Sequence, residues 1–163
     1  MIRTVDALLS QSRIADEIIV FASDIDCSVA CKRYPGIAFY LEPNLNDWGH
    51  EKRAKGLDLA TSDYAGWFNH DDSYDQEYVK EMMQEAELGN DVVYCGWSKN
   101  HNPTFRLASS TSGNYIAKVE VARKAGYTDR HYEADGTFIN RMSEVTNSIK
   151  FLNKVLYFHN VVK

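Results

Sequence analysis

The order of hydrophobic and polar positions predicts alternating helices and strands in the first half of the chain. Apolar residues at helical spacing, from Ile2 to Leu9, predict a helix over 2–11. Further along, the predicted strands are 17–22, 36–41, Tyr64–Phe68 and 91–97, and the predicted helices are 50–60 and 76–88. This alternation is typical of parallel strands with helices on both faces of the sheet. Such sheets bind ligands beyond the carboxyl ends of their strands.

The second half is less regular. A polar stretch at 98–114 is followed by predicted helices at 118–125 and 135–144 and a final predicted strand at 154–162. The 163 residues fit one domain, and 44% of them are hydrophobic, as in an ordinary folded globule. We therefore expect a single α/β domain with a Rossmann-like, mostly parallel sheet flanked by helices.

Composition excludes several classes of protein. No stretch approaches 18 apolar residues and no signal peptide opens the chain, so we expect no membrane span and a cytoplasmic location. Residues 61–95 contain nine acidic side chains against one basic side chain, Lys80. Because phosphate-backbone binding needs clustered Lys and Arg, we expect no nucleic-acid partner.

The predicted strand Tyr64–Phe68 is followed directly by the polar segment Asn69-His70-Asp71-Asp72. Adjacent carboxylates at a strand end suit a hard divalent ion, which takes oxygen ligands and can share them with substrate phosphates. The structural alternative is that the acids cap the helix at 76–88. The spacing does not fit an EF-hand loop.

Three further residues are candidates for chemistry. Arg53 lies on a predicted helix upstream of the acids and could hold a diphosphate through its planar guanidinium, or it could belong to a solvated charged face. Asp135 opens a helix, where an acid is more often an N-cap than a base. His159 lies in the last strand, and alone it reads as a packed or surface histidine.

Taken in chain order, these features resemble the GT-A glycosyltransferases of family 2, which are inverting enzymes. The similar stretches are ALLSQSRIADEIIVFAS, GHEKRAKGLDLATSDYAGWFNHDD, AGYTDRHYEADGTFINRM and KVLYFHNV. They match the family's first helix and second strand, its G…R-N-x-G-L-x-x-A…D-x-D-D segment, its G-G-F-D-E…E-D…R segment and its closing strand. The resemblance covers nearly the whole chain. It implies a nucleotide-sugar and metal half at 1–97 and an acceptor and catalytic-base half at 98–163.

The resemblance implies a metal site and a nucleotide site. Asn69-His70-Asp71 falls on the D-x-D motif, so Asp71 would bind a divalent cation, Mn²⁺ or Mg²⁺, with His159 as a late metal ligand. The remaining residues implied to contact the nucleotide are Arg53 at the diphosphate, Asn69, Asp72, and Ser23, Asp24 and Asp26 near the uracil or ribose.

The resemblance also implies a catalytic base, and the sequence differs from the family pattern at several positions. Asp135 falls on the acid of the E-D pair that acts as general base, and Arg141 falls on the arginine six residues later. Asn69 replaces the first Asp of D-x-D, and Ala134 replaces the Glu of E-D. The family's first strand has no counterpart in residues 1–16, so we expect the strand at 17–22 to pair directly with Tyr64–Phe68, or a homodimer to cover that edge.

The expected function is inverting transfer of a sugar from a nucleoside-diphosphate sugar, with UDP-sugars favoured, to a hydroxyl of an unidentified acceptor. Two alternatives remain: a sugar-nucleotide or glycan-binding module without turnover, and another metal-dependent nucleotidyl enzyme. Against the second, the sequence lacks a Gly-rich phosphate loop.

Overall fold

The computed structural model describes residues 2–99, 102–104 and 111–159. The helices in these ranges are α1 (Ile2–Leu9), α2 (Ser28–Arg33), α3 (His50–Leu59), α4 (Tyr78–Glu87), α5 (Val119–Ala125) and α6 (Ala134–Val145). The strands are β1 (Ile19–Ala22), β2 (Ala38–Leu41), β3 (Tyr64–Gly66), β4 (Ser73–Tyr74), β5 (Val92–Lys99), β6 (Asn102–Thr104), β7 (Tyr115–Lys118) and β8 (Ile149–Phe158). Among the described helices, none has both the length and the apolar character needed to cross a bilayer.

The predicted elements are present, and the structure adds several that the sequence pattern did not predict. The short helix α2 begins after Asp26, whose carboxylate accepts the backbone N–H of Ser28 at 2.8 Å. Strands β4, β6 and β7 lie where a loop or a helix boundary was expected. The last strand begins at Ile149, earlier than predicted, and the end of the predicted strand, at 160–162, lies outside the described residues.

The strands form two sheets. In the larger sheet the order is β3-β7-β5-β8-β4, with β6 paired to β5, and β1 and β2 form a separate parallel pair. The larger sheet is mixed, because only β5 and β8 pair in parallel while its other four pairings are antiparallel. The expectation of a mostly parallel sheet is wrong in this respect. The two strands that follow β5 along the chain, β6 and β7, both pair with it in the antiparallel direction.

The core lies on both faces of the larger sheet, so the predicted α/β layering is confirmed. Val92 and Val93 are neighbours on β5 and point to opposite faces, and both are fully buried. Val92 packs with residues of α5 and α6, including Phe138, whereas Val93 packs with α4 through Met82. This packing fixes the strand ends from which the polar residues project.

The predicted direct pairing of the first strand with the third is wrong. Strand β1 pairs only with β2, and β3 pairs with β7, within the described residues. The segments that precede β1 and β3 are instead joined by side chains, since the Glu17 carboxylate accepts the backbone N–H of Thr61 at 2.9 Å and its hydroxyl at 3.0 Å. Helix α1 packs against α2 and the residue after it through a small buried cluster of Val5, Ala30 and Tyr34. The dimer alternative remains a prediction.

Candidate active site

The candidate site is built around Asn69, which follows β3. Its side-chain oxygen accepts a hydrogen bond from Arg53 Nη2 at 2.7 Å, and its side-chain nitrogen donates to Asp72 Oδ2 at 2.7 Å. The amide therefore joins a cation to a carboxylate. An aspartate at this position could accept from Arg53 but could not donate to Asp72, which gives a physical reason for Asn69 where the family has Asp.

Asp72 is the buried centre of a second group of contacts. Its side chain is fully buried, and its Oδ2 accepts a hydrogen bond of 2.5 Å from the hydroxyl of Tyr157 on β8. His159 Nδ1 lies 3.2 Å from Asp72 Oδ1 and 3.0 Å from the Tyr157 hydroxyl. Burial raises the pKa of Tyr157, so its hydroxyl stays protonated and can donate. The structure thus places Asp72 and His159 side by side.

Asp71 differs from its neighbour. Its side chain is half-buried, and its carboxylate has no hydrogen-bond or ion-pair partner in the described part of the chain. No group of three or more His, Cys, Asp or Glu side chains that could enclose a metal occurs among the described residues. An ion such as Mg²⁺ usually binds through one or two carboxylates together with substrate phosphates. The side chains fit an ion shared with a diphosphate and do not form an all-protein cage.

Arg53 lies on α3, which begins after Gly49. Gly49 adopts a φ of 81°, in the left-handed region where glycine carries little strain. Besides Asn69, Arg53 donates to the backbone oxygen of Trp48 at 2.8 Å and approaches His50 Nδ1 at 3.2 Å. These contacts hold the guanidinium beside Asn69, and its contact with a diphosphate stays a prediction.

Asp135 lies in the first turn of α6 but makes its hydrogen bonds elsewhere. Oδ1 accepts a short hydrogen bond from the Tyr127 hydroxyl, and Oδ2 accepts the backbone N–H of Ser112 at 3.3 Å. The residue at the N-cap position is Glu133, which makes no side-chain capping bond. The N-cap alternative is therefore disfavoured, and about a fifth of the Asp135 side chain remains exposed.

A buried histidine lies behind the Asp135 carboxylate. His50 Nδ1 is 3.1 Å from the Tyr127 hydroxyl and 3.7 Å from Asp135 Oδ1, and the side chain is 2% exposed. Arg53 can only donate to Nδ1, so Nδ1 accepts and the proton belongs on Nε2. Nε2 is buried without a partner among the described residues. Burial lowers the pKa of His50, and the Coulombic effect of Asp135 opposes that shift without reversing it.

We expect stability to fall in mild acid because of His50. The pKa of His50 in the folded chain lies below the ordinary 6.5. As the pH falls below 6.5, the unfolded chain therefore binds a proton at this histidine more readily than the folded chain does, which favours unfolding. Urea unfolding at about pH 7.5 and about pH 5 should show less of this loss in His50→Gln than in the wild type. The exposed His131→Gln variant is the control and should keep the wild-type dependence. Equal slopes in all three proteins would contradict the prediction.

The other predicted residues lie outside this cluster. Ser23 and Asp24 follow the end of β1, Asp24 with a φ of 54°, and no hydrogen bond joins either to Arg53, Asn69 or Asp135 among the described residues. Their predicted contact with uracil or ribose stays a prediction. Arg141 donates to the backbone oxygen of Gly126 at 2.9 Å and pairs closely with Asp129, so it braces the turn before α6.

Four residues of the site were not predicted from the sequence: Ser112, Tyr127, His50 and Tyr157. Ser112 Oγ lies 3.2 Å from Asn69 Nδ2 and its backbone N–H reaches Asp135, so it connects the two halves of the site. Tyr127 lies within the G-G-F-D-E-like segment, which could have indicated it. Nothing in the local pattern indicates the others, because their roles depend on long-range packing.

The site contacts form a closed ring. Arg53 contacts Asn69, Asn69 contacts Ser112, and Ser112 contacts Asp135. Asp135 is linked back to Arg53 through Tyr127 and His50. The fold is thus an α/β domain whose polar side chains form one cluster. The sequence model of the family described as "Glycosyl transferase family 2" matches residues 1–146. The chain belongs to glycosyl transferase family 2.

Solved structures agree on the fold. The crystal structure of S. aureus TarS aligns with a TM-score of 0.78 at 15% identity, over 98% of this chain and 34% of that chain. The TarS 1–349 complexes with UDP and with UDP-GlcNAc each align with a TM-score of 0.77, at 16% and 14% identity, over 96% of this chain. The chain spans 55% and 53% of those two chains. Bifunctional IspDF from Campylobacter jejuni aligns with a TM-score of 0.55. A search of curated proteins gives no significant match.

Proposed function

We propose that this domain transfers a sugar from a nucleoside-diphosphate sugar, in the first place a UDP-sugar, to an acceptor hydroxyl with inversion at the anomeric carbon. The observation that carries the proposal is the closed ring of contacts. It places an arginine suited to a diphosphate, the strand-end acids and the Asp135 carboxylate in one continuous cluster. Family membership and the alignment with UDP and UDP-GlcNAc complexes of TarS support the choice of donor.

Asp135 would act as the general base. Its carboxylate accepts the proton of the acceptor hydroxyl while that oxygen attacks the anomeric carbon, and the bond to the diphosphate breaks on the opposite side. Tyr127 donates to Oδ1 and Ser112 donates to Oδ2, so the carboxylate is held in one orientation before the acceptor arrives. Burial raises the pKa of Tyr127, which keeps that hydroxyl a donor at neutral pH.

The nucleoside diphosphate gains negative charge as it leaves. The Arg53 guanidinium, fixed by Asn69 and by the Trp48 carbonyl, would donate to the diphosphate oxygens. Asp71 and His159, which lies beside Asp72, would hold a divalent cation, Mg²⁺ or Mn²⁺, and when bound that ion supplies Lewis-acid stabilisation of the diphosphate. Tyr157 and Asn69 orient Asp72 for this arrangement.

One observation favours a second candidate function, a binding module without turnover. Ala134 lies where the family carries the Glu of its E-D pair, so a carboxylate that enzymes of the family have next to the base is missing. A binding module would retain UDP and release none from a UDP-sugar.

We expect UDP release from UDP-GlcNAc to require a divalent ion and Asp71. Wild-type protein should release UDP when Mn²⁺ or Mg²⁺ is present and stop when a chelator is added. Asp71→Asn removes the ligand charge, so it should lower the rate at least about tenfold at a fixed ion concentration. Release is measured with a coupled UDP assay.

The matched control is Asp63→Asn, which removes an exposed acid before β3 and should leave the rate unchanged. Unchanged UDP release by Asp71→Asn, with the wild-type response to the chelator, would show that the metal assignment is wrong. UDP binding by the wild type without release from any UDP-sugar tested would favour the binding module.

A further inference from the structure

Two exposed aromatic side chains pack on each other at the segments that precede α3 and α6, and α6 carries the candidate base. Trp48 is 59% exposed and Tyr132 is 69% exposed, and their rings meet edge to face with centroids 5.8 Å apart. Trp48 precedes α3 and Tyr132 precedes α6, three residues before Asp135. We refer to these two side chains as the aromatic pair. Two large apolar rings that pack on each other and both remain exposed need an explanation.

The backbone holds Trp48 in this exposed position. Its φ is 55°, in the left-handed region that a bulky residue rarely adopts and that persists only where its surroundings impose it. The neighbouring Asp47 carboxylate accepts the backbone N–H groups of Gly49 at 3.0 Å and Glu51 at 2.7 Å, and Arg53 donates to the Trp48 carbonyl. The backbone that carries the ring is therefore held in place before any ligand arrives.

The aromatic pair is connected to Asp135 through packed side chains. The Trp48 ring lies 6.4 Å from the His50 ring, and the His50 ring lies 5.8 Å from the Tyr127 ring, between centroids. Tyr127 donates directly to Asp135. The aromatic pair and the candidate base therefore belong to one packed group of side chains. An acceptor that extends from Asp135 along the segment before α6 would meet Tyr132 and, through it, Trp48.

The chemistry around the aromatic pair selects among acceptor classes. Polar and charged groups border the rings: Arg130 lies 3.9 Å from the Asp47 carboxylate, and His131 and Glu133, which flank Tyr132, are both more than half exposed. A pyranose ring has an apolar face of C–H groups and an edge of hydroxyls, which suits an aromatic face within a polar rim. Two rings bounded by charged groups form too small an apolar surface for a lipid chain.

We propose that Trp48 and Tyr132 form the acceptor subsite and that the acceptor is a saccharide whose pyranose ring stacks on Trp48. This inference rests on the proposed function, since it takes Asp135 as the base. It assigns the substrate class of the acceptor and two specificity-determining residues.

The experiment measures saccharide binding and UDP binding separately. A glycan array of short pyranose oligosaccharides, including cellotriose and N-acetylchitotriose, is probed with the wild type in the presence of UDP and Mn²⁺. Bound glycans are then titrated against tryptophan fluorescence. Trp67 is buried and Trp97 is only partly exposed, so covering Trp48, the most exposed of the three tryptophans, should shift the emission to the blue. UDP affinity is measured in parallel by calorimetry.

We expect Trp48→Ala to weaken glycan binding by about tenfold or more, since a stacked aromatic contact is lost, and Tyr132→Ala to weaken it less. Trp48→Phe should retain most of the binding because it keeps an aromatic face. UDP affinity should stay within about twofold in all three variants. The control Leu88→Ala removes an apolar side chain that is 79% exposed at the end of α4 and should change neither affinity.

Other outcomes overturn the inference in distinguishable ways. If the wild type binds UDP but no glycan on the array, the acceptor is not a saccharide and the proposed function still stands. If Trp48→Ala weakens UDP binding and leaves glycan binding unchanged, the Trp48 ring stacks on the uracil of the donor and not on the acceptor. If the wild type binds neither UDP nor glycans, the proposed function itself fails.

Discussion

Asp135→Asn should lower the rate of sugar transfer by about 10² to 10⁴ while leaving affinity for the UDP-sugar within a few-fold. The substitution keeps the size of the side chain, and the amide oxygen can still accept from Tyr127. It removes the basic oxygen that would take the acceptor proton. Transfer is measured with an acceptor saturating for the wild type, and donor affinity is measured by calorimetry with UDP.

Glu133→Gln provides the matched control, since it removes an acid of the same helix end whose side chain is 78% exposed. It should transfer sugar at nearly the wild-type rate. A loss of thermal stability in Asp135→Asn that accounts for its loss of activity would assign Asp135 a structural role. Wild-type transfer by Asp135→Asn would place the base elsewhere.

Gly113→Ala should destabilise the folded chain by about 1–3 kcal/mol, and by more if Tyr157 cannot move. A Cβ at this position would lie 2.6 Å from Tyr157 Cζ and closer still to Cε2. Real Cβ atoms do not approach a ring so closely, so the ring would have to shift. Tyr157 is fully buried, and its hydroxyl is hydrogen-bonded to Asp72 and to Thr111. The change should be measured as the free energy of unfolding in urea.

Gly136→Ala is the control for this substitution. A Cβ at Gly136 meets no atom within 4 Å, and the residue lies within α6, so alanine should be neutral or stabilise by about 0.5–1 kcal/mol. If Gly113→Ala proves as stable as Gly136→Ala, the close packing against Tyr157 is absent in solution. Since Tyr157 holds Asp72, the destabilised variant should also bind metal and UDP less well.

The sequence predicts a helix or strand well where the spacing of apolar residues within that segment is regular. The amphipathic spacing of α1 and α4 and the apolar run of β5 correspond to elements of the structure. It predicts pairing poorly, because strand direction depends on the connection that follows. Strand β6 lies in a polar stretch without hydrophobic periodicity. The sequence therefore does not predict that β6 and β7 pair antiparallel with β5.

The sequence indicated Arg53, Asn69, Asp72 and Asp135 of the candidate site, whereas Ser112, Tyr127, His50 and Tyr157 were found only in the structure. Arg53, Asp72 and Asp135 carry recognisable motifs, and the structure brings them into one cluster. The backbone N–H of Ser112 and the hydroxyl of Tyr157 have no sequence signature, because their roles come from contacts across the sheet. Asn69 looks like a weakened motif in the sequence, and only the geometry shows that its amide must donate to Asp72.

The position of β8 determines when this domain can become complete during folding. It is the last described strand of the chain, yet it lies inside the larger sheet between β5 and β4. Its pairing with β5 joins residues far apart in sequence, which is the kind of contact that forms slowly because a long loop must close first. Until β8 inserts, β5 keeps an open hydrogen-bonding edge. Tyr157 belongs to this last strand and His159 follows it directly, so the candidate site cannot be complete until β8 has paired with β5.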